Sequence, residues 1–415
     1  MHAHRLPLLA ASLVLNCLLL SAHAASQPPL VARVVNDTAL TFKILQLADL
    51  HFTGVPTTQC QDPPKSLSSG DSACTEAVMS AFIEELLDAE KPDFVVFTGD
   101  NVQTASVTDH QPAVDAFTKG VEERKIPYAV VFGNHDDENG FPREDIMKLV
   151  TQKNYSYAQR GPTDIDGVGN YQLSVKAPGT SDSLLRMYFL DSGGYPDLTK
   201  YPDVKSKYDW IKDTQVAYYR NVSLTNQDNQ TTPLPALMFF HIPLQEHNYT
   251  ALDVTNVVGV KNEVVSSSQV ESKMFSALVD RNEVKAVFVG HDHVNEYCYK
   301  KQGIQLCYGG GAGLGVAYGA SGFARRARVI EWSVDSSSKR TIKSWKRLFG
   351  GASQICCHET LFNESDAAGG SAAQLAANKS QDTPNSSLVH SGATATDLRM
   401  MFLLSAAAVV HFAQS

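Results

Sequence analysis

Five short segments carry side chains that bind hard or borderline metal ions. They are Asp49-Leu50-His51, Gly99-Asp100-Asn101, Gly133-Asn134-His135-Asp136, an isolated His241 before Ile242-Pro243, and Gly290-His291-Asp292-His293. Carboxylate and amide oxygens suit hard cations, and imidazoles suit zinc, iron and similar ions. In an extended chain residues i and i+2 face the same way. Asp49 and His51 can therefore meet one ion, and His291 and His293 can approach one cluster. Asp100 is the sole acid in its segment, and a carboxylate can bridge two ions. Asn134 offers a neutral amide oxygen. The seven candidate ligands, Asp49, His51, Asp100, Asn134, His241, His291 and His293, bring two formal negative charges, from the two aspartates. Two divalent ions leave an excess of two positive charges, or one after a hydroxide bridges them. Such a centre attracts phosphate. Ions about 3.5–4 Å apart clamp a phosphoryl group and generate hydroxide at neutral pH. The expected chemistry is hydrolysis of a phosphoric ester by a metal-bound hydroxide, with no nucleophilic Ser or Cys.

Each segment follows an apolar run of strand length: Phe42–Ala48, Phe94–Thr98, Tyr128–Phe132, Ala236–Phe240 and Val284–Val289. Helical patterns fall between several of them, at Thr75–Ala89, Ala113–Arg124, Tyr208–Asn221 and Gln269–Arg281. Alternation of this kind predicts an α/β sheet of buried, largely parallel strands. Sites in such sheets form beyond the carboxyl ends of the strands, where all five segments stand. Gly99, Gly133 and Gly290 let the chain turn sharply there. A β-rich second part is expected at Asn170–Val175, Leu184–Leu190, Glu296–Tyr299, Ile304–Cys307, Ala327–Val334 and Thr341–Lys346.

The chain has 415 residues, 43% of them hydrophobic and 19% charged. That apolar share supports a core and excludes wholesale disorder. A net charge of -9 argues against a general nucleic-acid binder. Residues 1–24 read as a signal peptide, with Leu6–Leu20 apolar and Ala22-His23-Ala24 as a cleavage pattern. Residues 40–349 carry the structured domain. Residues 350–391 read as a flexible linker rich in Ser, Ala, Gly and Asn. Residues 392–415 end in the apolar run Met400–Ala413, short for a membrane span, and resemble a GPI-attachment signal with Ser386, Ser387 or Ser391 as attachment points. Eight sequons, at Asn36, Asn154, Asn221, Asn229, Asn248, Asn363, Asn378 and Asn385, agree with export and glycosylation. Six cysteines remain after Cys17 leaves with the leader. Cys60 with Cys74 would staple a loop, and Cys298 with Cys307 would close a hairpin. Cys356 and Cys357 pair with each other, across chains, or not at all.

In order and spacing, Asp-x-His, Gly-Asp, Gly-Asn-His-Asp, a lone His and Gly-His-x-His resemble the calcineurin-like metallophosphoesterase superfamily over about residues 41–349. Phe189-Leu190-Asp191-Ser192-Gly193, Phe240-His241-Ile242-Pro243-Leu244 and Arg325-Arg326-Ala327-Arg328-Val329 resemble its small purple-acid-phosphatase-like group of plants and fungi, including the yeast Dcr2-type phosphatases. The resemblance implies a four-layer α/β/β/α sandwich. It implies Asp49, His51 and His293 as ligands of a first metal, Asn134, His241 and His291 of a second, and Asp100 as the bridge. It implies that His135 stabilises or protonates the leaving oxygen, with Asp136 orienting it, help worth ~10²–10⁴ in rate. Two features depart from typical purple acid phosphatases. Gln103 stands where they place Tyr, and His51 stands where they place Gly. Purple colour and a firm preference for ferric iron are therefore not implied, and the ions are Fe, Zn or Mn.

Plainer roles remain open for several residues. His135 also reads as a structural histidine, Asp136 as a cap, and Asp292 as a turn cap. Arg325, Arg326 and Arg328 read as phosphate ligands or as a solvated basic edge. Tyr308 and Gly309-Gly310-Gly311 read as pocket lining or as a tight turn. The functional expectation is a phosphomonoesterase, secreted or at the cell surface, acting on a phosphorylated substrate of unknown class. No nucleic-acid partner is expected, and membrane contact only through the GPI anchor. A phosphodiesterase on the same centre and a non-catalytic surface binding protein are the alternatives.

Overall fold

The computed structural model describes residues 27–36, 39–67, 74–103, 109–226, 233–351 and 354–366. The expected leader, most of the linker and the apolar tail lie outside the described residues, as do the sequons at Asn229, Asn378 and Asn385. Asn154, Asn221 and Asn248 are exposed.

Two sheets form. The first joins β1 (Leu30–Val31), β6 (Tyr171–Lys176), β7 (Ser183–Phe189), β8 (Ala236–Phe239), β10 (Val284–Val289), β12 (Ile304–Tyr308), β11 (Cys298–Lys301) and β9 (Val257–Val258), in that spatial order. The second joins β15 (Ile355–Asn363), β14 (Arg340–Leu348), β13 (Arg326–Val334), β3 (Ala39–Leu47), β4 (Phe94–Thr98) and β5 (Tyr128–Val131), with β2 (Arg33–Asn36) also paired to β3. The five apolar runs are the parallel centres, β3-β4-β5 in one sheet and β8-β10 in the other. Both sheets are mixed rather than largely parallel, because hairpins such as β13–β14 and β11–β12 extend them antiparallel.

Alternation sorts the side chains into layers. In β8 and β10, Leu237, Phe239, Ala286 and Phe288 join the core between the sheets. Met238, Val287 and Val289 point the other way, onto helices α4 (Asp213–Thr225) and α5 (Met274–Arg281). Helices α1 (Glu76–Glu90), α2 (Gln111–Glu123) and α3 (Arg143–Thr151) cover the second sheet through Phe82, Leu86, Phe117 and Ile146. The result is the expected helix–sheet–sheet–helix sandwich. Among the described residues no helix is long and apolar enough to cross a membrane.

The domain reaches beyond 40–349 at both ends. Residues 355–363, expected within the linker, add β15 to the second sheet. Only Leu361 of that edge strand is buried, so no apolar run marks it in the sequence. Cys60 pairs with Cys74, Cys298 with Cys307, and Cys356 with its neighbour Cys357. Three disulfides indicate an oxidising compartment such as the secretory pathway.

One buried histidine lies apart from the metal-ligand segments. His247 Nδ1 donates to Leu244 O at 3.2 Å, and burial pushes the imidazole down to about 3. An unfolded histidine titrates near 6.5. Between pH 6.5 and 3 the unfolded chain takes this proton and the folded chain refuses it, so stability falls with pH. Urea unfolding of His247→Phe at pH 7 and pH 5 should therefore show a smaller acid loss than the parent chain, by up to about 1.4 kcal/mol per pH unit.

Candidate metal centre

The pairing of β3 with β4 continues past the strand ends. Asp49 N donates to Gly99 O at 3.1 Å, His51 N to Asp100 O at 2.9 Å and Phe52 N to Asn101 O at 2.9 Å. The two sheets meet at this same edge. Gln46 Nε2 donates to Thr98 Oγ1 at 3.0 Å and across to Val289 O at 3.1 Å, and Ala312 N donates to Ala48 O at 3.0 Å. The segments are not extended, as the i, i+2 argument assumes. Asp49, His51, Asp100 and His291 all adopt positive φ, at 56°, 52°, 49° and 76°. Such backbone costs on the order of 1–3 kcal/mol per residue and persists where the surroundings enforce it.

The glycines differ in purpose. Gly99 has φ +91°, as a sharp turn requires. Gly133 and Gly290 have no such φ, and what they provide is space. A Cβ on Gly133 would stand 2.2 Å from Asp100 Oδ1 and 2.7 Å from His241 Nε2. One on Gly290 would stand 3.0 Å from Asp49 Oδ2.

Donor atoms of Asp49, His51, Asp100 and His293 lie within 4.8 Å of one another, and so do those of Asp100, His241 and His291. All are buried, and Asp100 belongs to both groups. His241 Nε2 is 3.1 Å from Asp100 Oδ2, His51 Nε2 is 3.7 Å from the same oxygen, and His293 Nε2 is 3.6 Å from Asp49 Oδ1. His291 and His293 thus serve different groups. Asn134 lines the same cleft of about 400 Å³ as His51, Asp100 and His291.

Backbone and side-chain acceptors fix the rings. His241 Nδ1 faces Thr98 O at 2.9 Å, His293 Nδ1 faces Tyr318 O at 3.0 Å, and His51 Nδ1 faces Gln103 Oε1 at 2.7 Å. Each acceptor assigns the ring proton to Nδ1 and leaves the Nε2 lone pair for an ion. His51 Nε2 and His293 Nε2 then stand 3.1 Å apart, lone pair toward lone pair. Asp49 Oδ2, Asn134 Oδ1 and His291 Nε2 are buried with no hydrogen-bond partner. Leaving such groups unsatisfied costs about 1–3 kcal/mol each. Cations satisfy all three at once, so the residues present fit two metal ions.

Burial pushes His51 down to about 4 and His291 down to about 3, and pushes Asp49 well above the usual carboxylate range. Burial also opposes charge on Asp100 and His241, but their proximity outweighs it. Asp100 is held well below the usual range and His241 is pushed up to about 9. An incoming ion must displace that proton.

Other expected residues lie differently. Asp136 Oδ1 accepts Asn101 N at 2.9 Å and Val102 N at 3.0 Å, and its Oδ2 accepts Gly133 N at 2.6 Å. It clamps two loops together and does not orient His135, which faces Glu138 instead. Asp292 accepts Tyr308 OH at 2.7 Å and Ser266 N at 3.1 Å, so both it and Tyr308 serve the framework. Arg325 Nη2 donates to Ala317 O at 2.8 Å, and Arg328 Nε to Tyr308 O at 2.9 Å. Arg326 stacks on Phe323 at 3.6 Å. All three arginines are buried, neither a solvated edge nor part of the cleft lining. Sequence reasoning missed Tyr318, whose ring stacks on His293 at 3.7 Å, and Tyr208, edge-on to His291 at 4.4 Å. Neither lies within a ligand segment. Gln103 carried a signal, since it and His51 are the two departures noted above, and they touch.

A family model described as calcineurin-like phosphoesterase matches residues 42–295. The chain belongs to the calcineurin-like phosphoesterase family. Within this family it is 37% identical over 346 residues to "Probable inactive purple acid phosphatase 29" of Arabidopsis thaliana, covering 78% of this chain and 86% of that one. It is 36% identical over 339 residues to "Phosphatase DCR2" of Saccharomyces cerevisiae, covering 78% of this chain and 56% of that one. A dimetal phosphatase from Danio rerio shares the fold with a TM-score of 0.51 at 15% identity, covering 77% of this chain and 99% of that one.

Metal content measured by mass spectrometry tests the shared position of Asp100 in this phosphoesterase. Asp100→Asn should lose both ions, whereas His51→Ala should lose one. Retention of two ions by Asp100→Asn would contradict the bridge. Gly133→Ala should also lose metal while keeping the parent circular dichroism. Loading should strengthen with pH up to about 9, as the proton on His241 becomes easier to displace.

Proposed function

We propose that the protein is a dinuclear-metal-dependent phosphomonoesterase. The observation that carries this reading is the membership of Asp100 in both donor groups, at the floor of one open cleft. When bound, two ions there supply the nucleophilic oxygen at neutral pH and neutralise charge on the phosphoryl group. Fe, Zn and Mn all suit the donor set.

The chain's own residues do the rest. Asp49, His51 and His293 hold one side and Asn134, His241 and His291 the other. His135 lines the cleft, with its ring 5.1 Å from that of His51. Its backbone N–H donates to Asp100 Oδ1 at 2.8 Å, which ties its position to the bridging carboxylate. From there it protonates the leaving oxygen. The lining of the cleft contains no Lys or Arg among the described residues. Attraction for the phosphate therefore depends on the ions. The similarity to a yeast phosphatase supports turnover. The word inactive belongs to the plant relatives' names, and in this chain all seven donor side chains are present.

The proposal extends to location. Three disulfides, the leader-like start and the sequons support an exported glycoprotein, secreted or held at the cell surface by a GPI anchor.

Metal-stripped protein reloaded with Zn, Mn or Fe should release phosphate from an aryl monoester at least about tenfold faster than it cleaves an aryl diester, a difference of roughly 1.4 kcal/mol. A diester preference would replace the proposal with a phosphodiesterase. Inactivity with all three metals would leave a binding protein. A chelator should abolish both turnover and phosphate binding.

A further inference from the structure

With Asp136 engaged elsewhere, a carboxylate that does face His135 is that of Glu138, three residues on. Glu138 Oε2 stands 3.0 Å from His135 Nδ1. The other oxygen, Oε1, accepts Tyr195 OH at 3.4 Å. That hydroxyl accepts Asn134 Nδ2 at 3.3 Å. The chain of contacts therefore runs from a metal-ligand amide, through a phenol and a carboxylate, to the imidazole that acts on the leaving group. Donors and acceptors alternate along it without conflict.

The contacts act on orientation. An amide can sit in its density of neighbours either way round, and only its partners decide. With Nδ2 held by Tyr195, the oxygen of Asn134 is the atom left buried and unpartnered. An imidazole has the same ambiguity of tautomer. Glu138 approaches Nδ1 to ion-pair distance, and a carboxylate there favours a proton on that nitrogen. The turn that carries Glu138 is itself anchored. Arg143 Nε donates to Asp137 Oδ2 at 2.9 Å and Nη2 to Gly133 O at 2.7 Å. Tyr195 is braced by Tyr208, with ring centroids 6.1 Å apart.

The geometry points to Glu138 and Tyr195 as a positioning pair that fixes the imidazole of His135 and the amide of Asn134. The inference rests on the phosphomonoesterase reading for its kinetic consequence. As water's oxygen bonds to phosphorus and the P–O bond to the leaving group breaks, that bond's electron pair goes to the leaving oxygen, which takes the Nε2 proton of a doubly protonated His135. The ring is left with its proton on Nδ1, and solvent returns the other.

The pair is tested in two ways. Kinetics compare an alkyl phosphate, which needs its leaving oxygen protonated, with p-nitrophenyl phosphate, which needs it far less. Glu138→Gln should lower kcat at least about tenfold more on the alkyl ester than on the aryl ester, and Glu138→Asp should recover part of that loss. Equal losses on both esters, or none, overturn the role of Glu138. Tyr195→Phe should weaken the binding of one of the two ions by about tenfold or more, read by competition with a chelating dye. Unchanged affinity for both overturns the role of Tyr195. The second test needs no activity. Long-range ¹H–¹⁵N spectra of histidine-labelled, zinc-loaded protein, assigned with His135→Asn, should show neutral His135 as the Nδ1–H tautomer in the parent and not in Glu138→Gln. An Nε2–H tautomer in the parent chain overturns the pair. A parent chain that is inactive on both esters yet has the Nδ1–H tautomer refutes the phosphomonoesterase reading and supports the positioning pair.

Discussion

Asp100 is a buried carboxylate with imidazoles on both sides, and the edge where the two sheets meet is built around it. Its Oδ2 is 3.1 Å from His241 Nε2 and 3.7 Å from His51 Nε2, while Oδ1 accepts the His135 N–H. A group in that position cannot be relaxed into water. The surrounding backbone yields instead, through left-handed conformations at Asp49, His51, Asp100 and His291 and through a missing side chain at Gly133. Local strain is offset by the parallel centres of two sheets, whose buried apolar strands leave their ends no freedom to drift.

Much of this was legible in the sequence. The five apolar runs, each ending in polar ligands, identified the parallel centres and the site edge, because strands buried on both faces need uninterrupted Val, Ile and Phe. What stayed hidden has physical reasons. The edge strand at 355–363 buries one side chain, so composition reads it as linker. Helix α3 is short, at nine residues, and a 3-10 turn at Glu138–Gly140 separates it from the Gly-Asn-His-Asp segment. The family resemblance divides His291 and His293 between two metals, but a β-period argument alone does not foresee it, and His291 has a positive φ. Asp136 was assigned to its sequence neighbour. Its actual partners, Asn101 and Val102, come from another strand end.

The departures from the purple-acid-phosphatase pattern make sense as a pair. A histidine where that pattern has glycine needs an acceptor for Nδ1, and Gln103 supplies one at 2.7 Å. Two substitutions far apart in the chain thus form one contact. The resulting first-metal side consists of a carboxylate and imidazoles, donors that suit zinc and manganese as well as iron.

The loop over the second half of the cleft has two characters. Glu263 accepts Val294 N through one oxygen and Tyr318 OH through the other, and Tyr318 lies flat against His293. Asn262 and Ser266 are tied to the same ligand segment. Between and beside these anchors, Val258 and Val260 are about half exposed and Val264 projects outward. Natural variation can therefore rewrite the crest of this loop, and with it whatever the protein touches outside the cleft, at little expense to the donor groups below. The roots of the loop have no such licence, so diversification in this lineage should be concentrated in a few outward-facing positions framed by invariant neighbours.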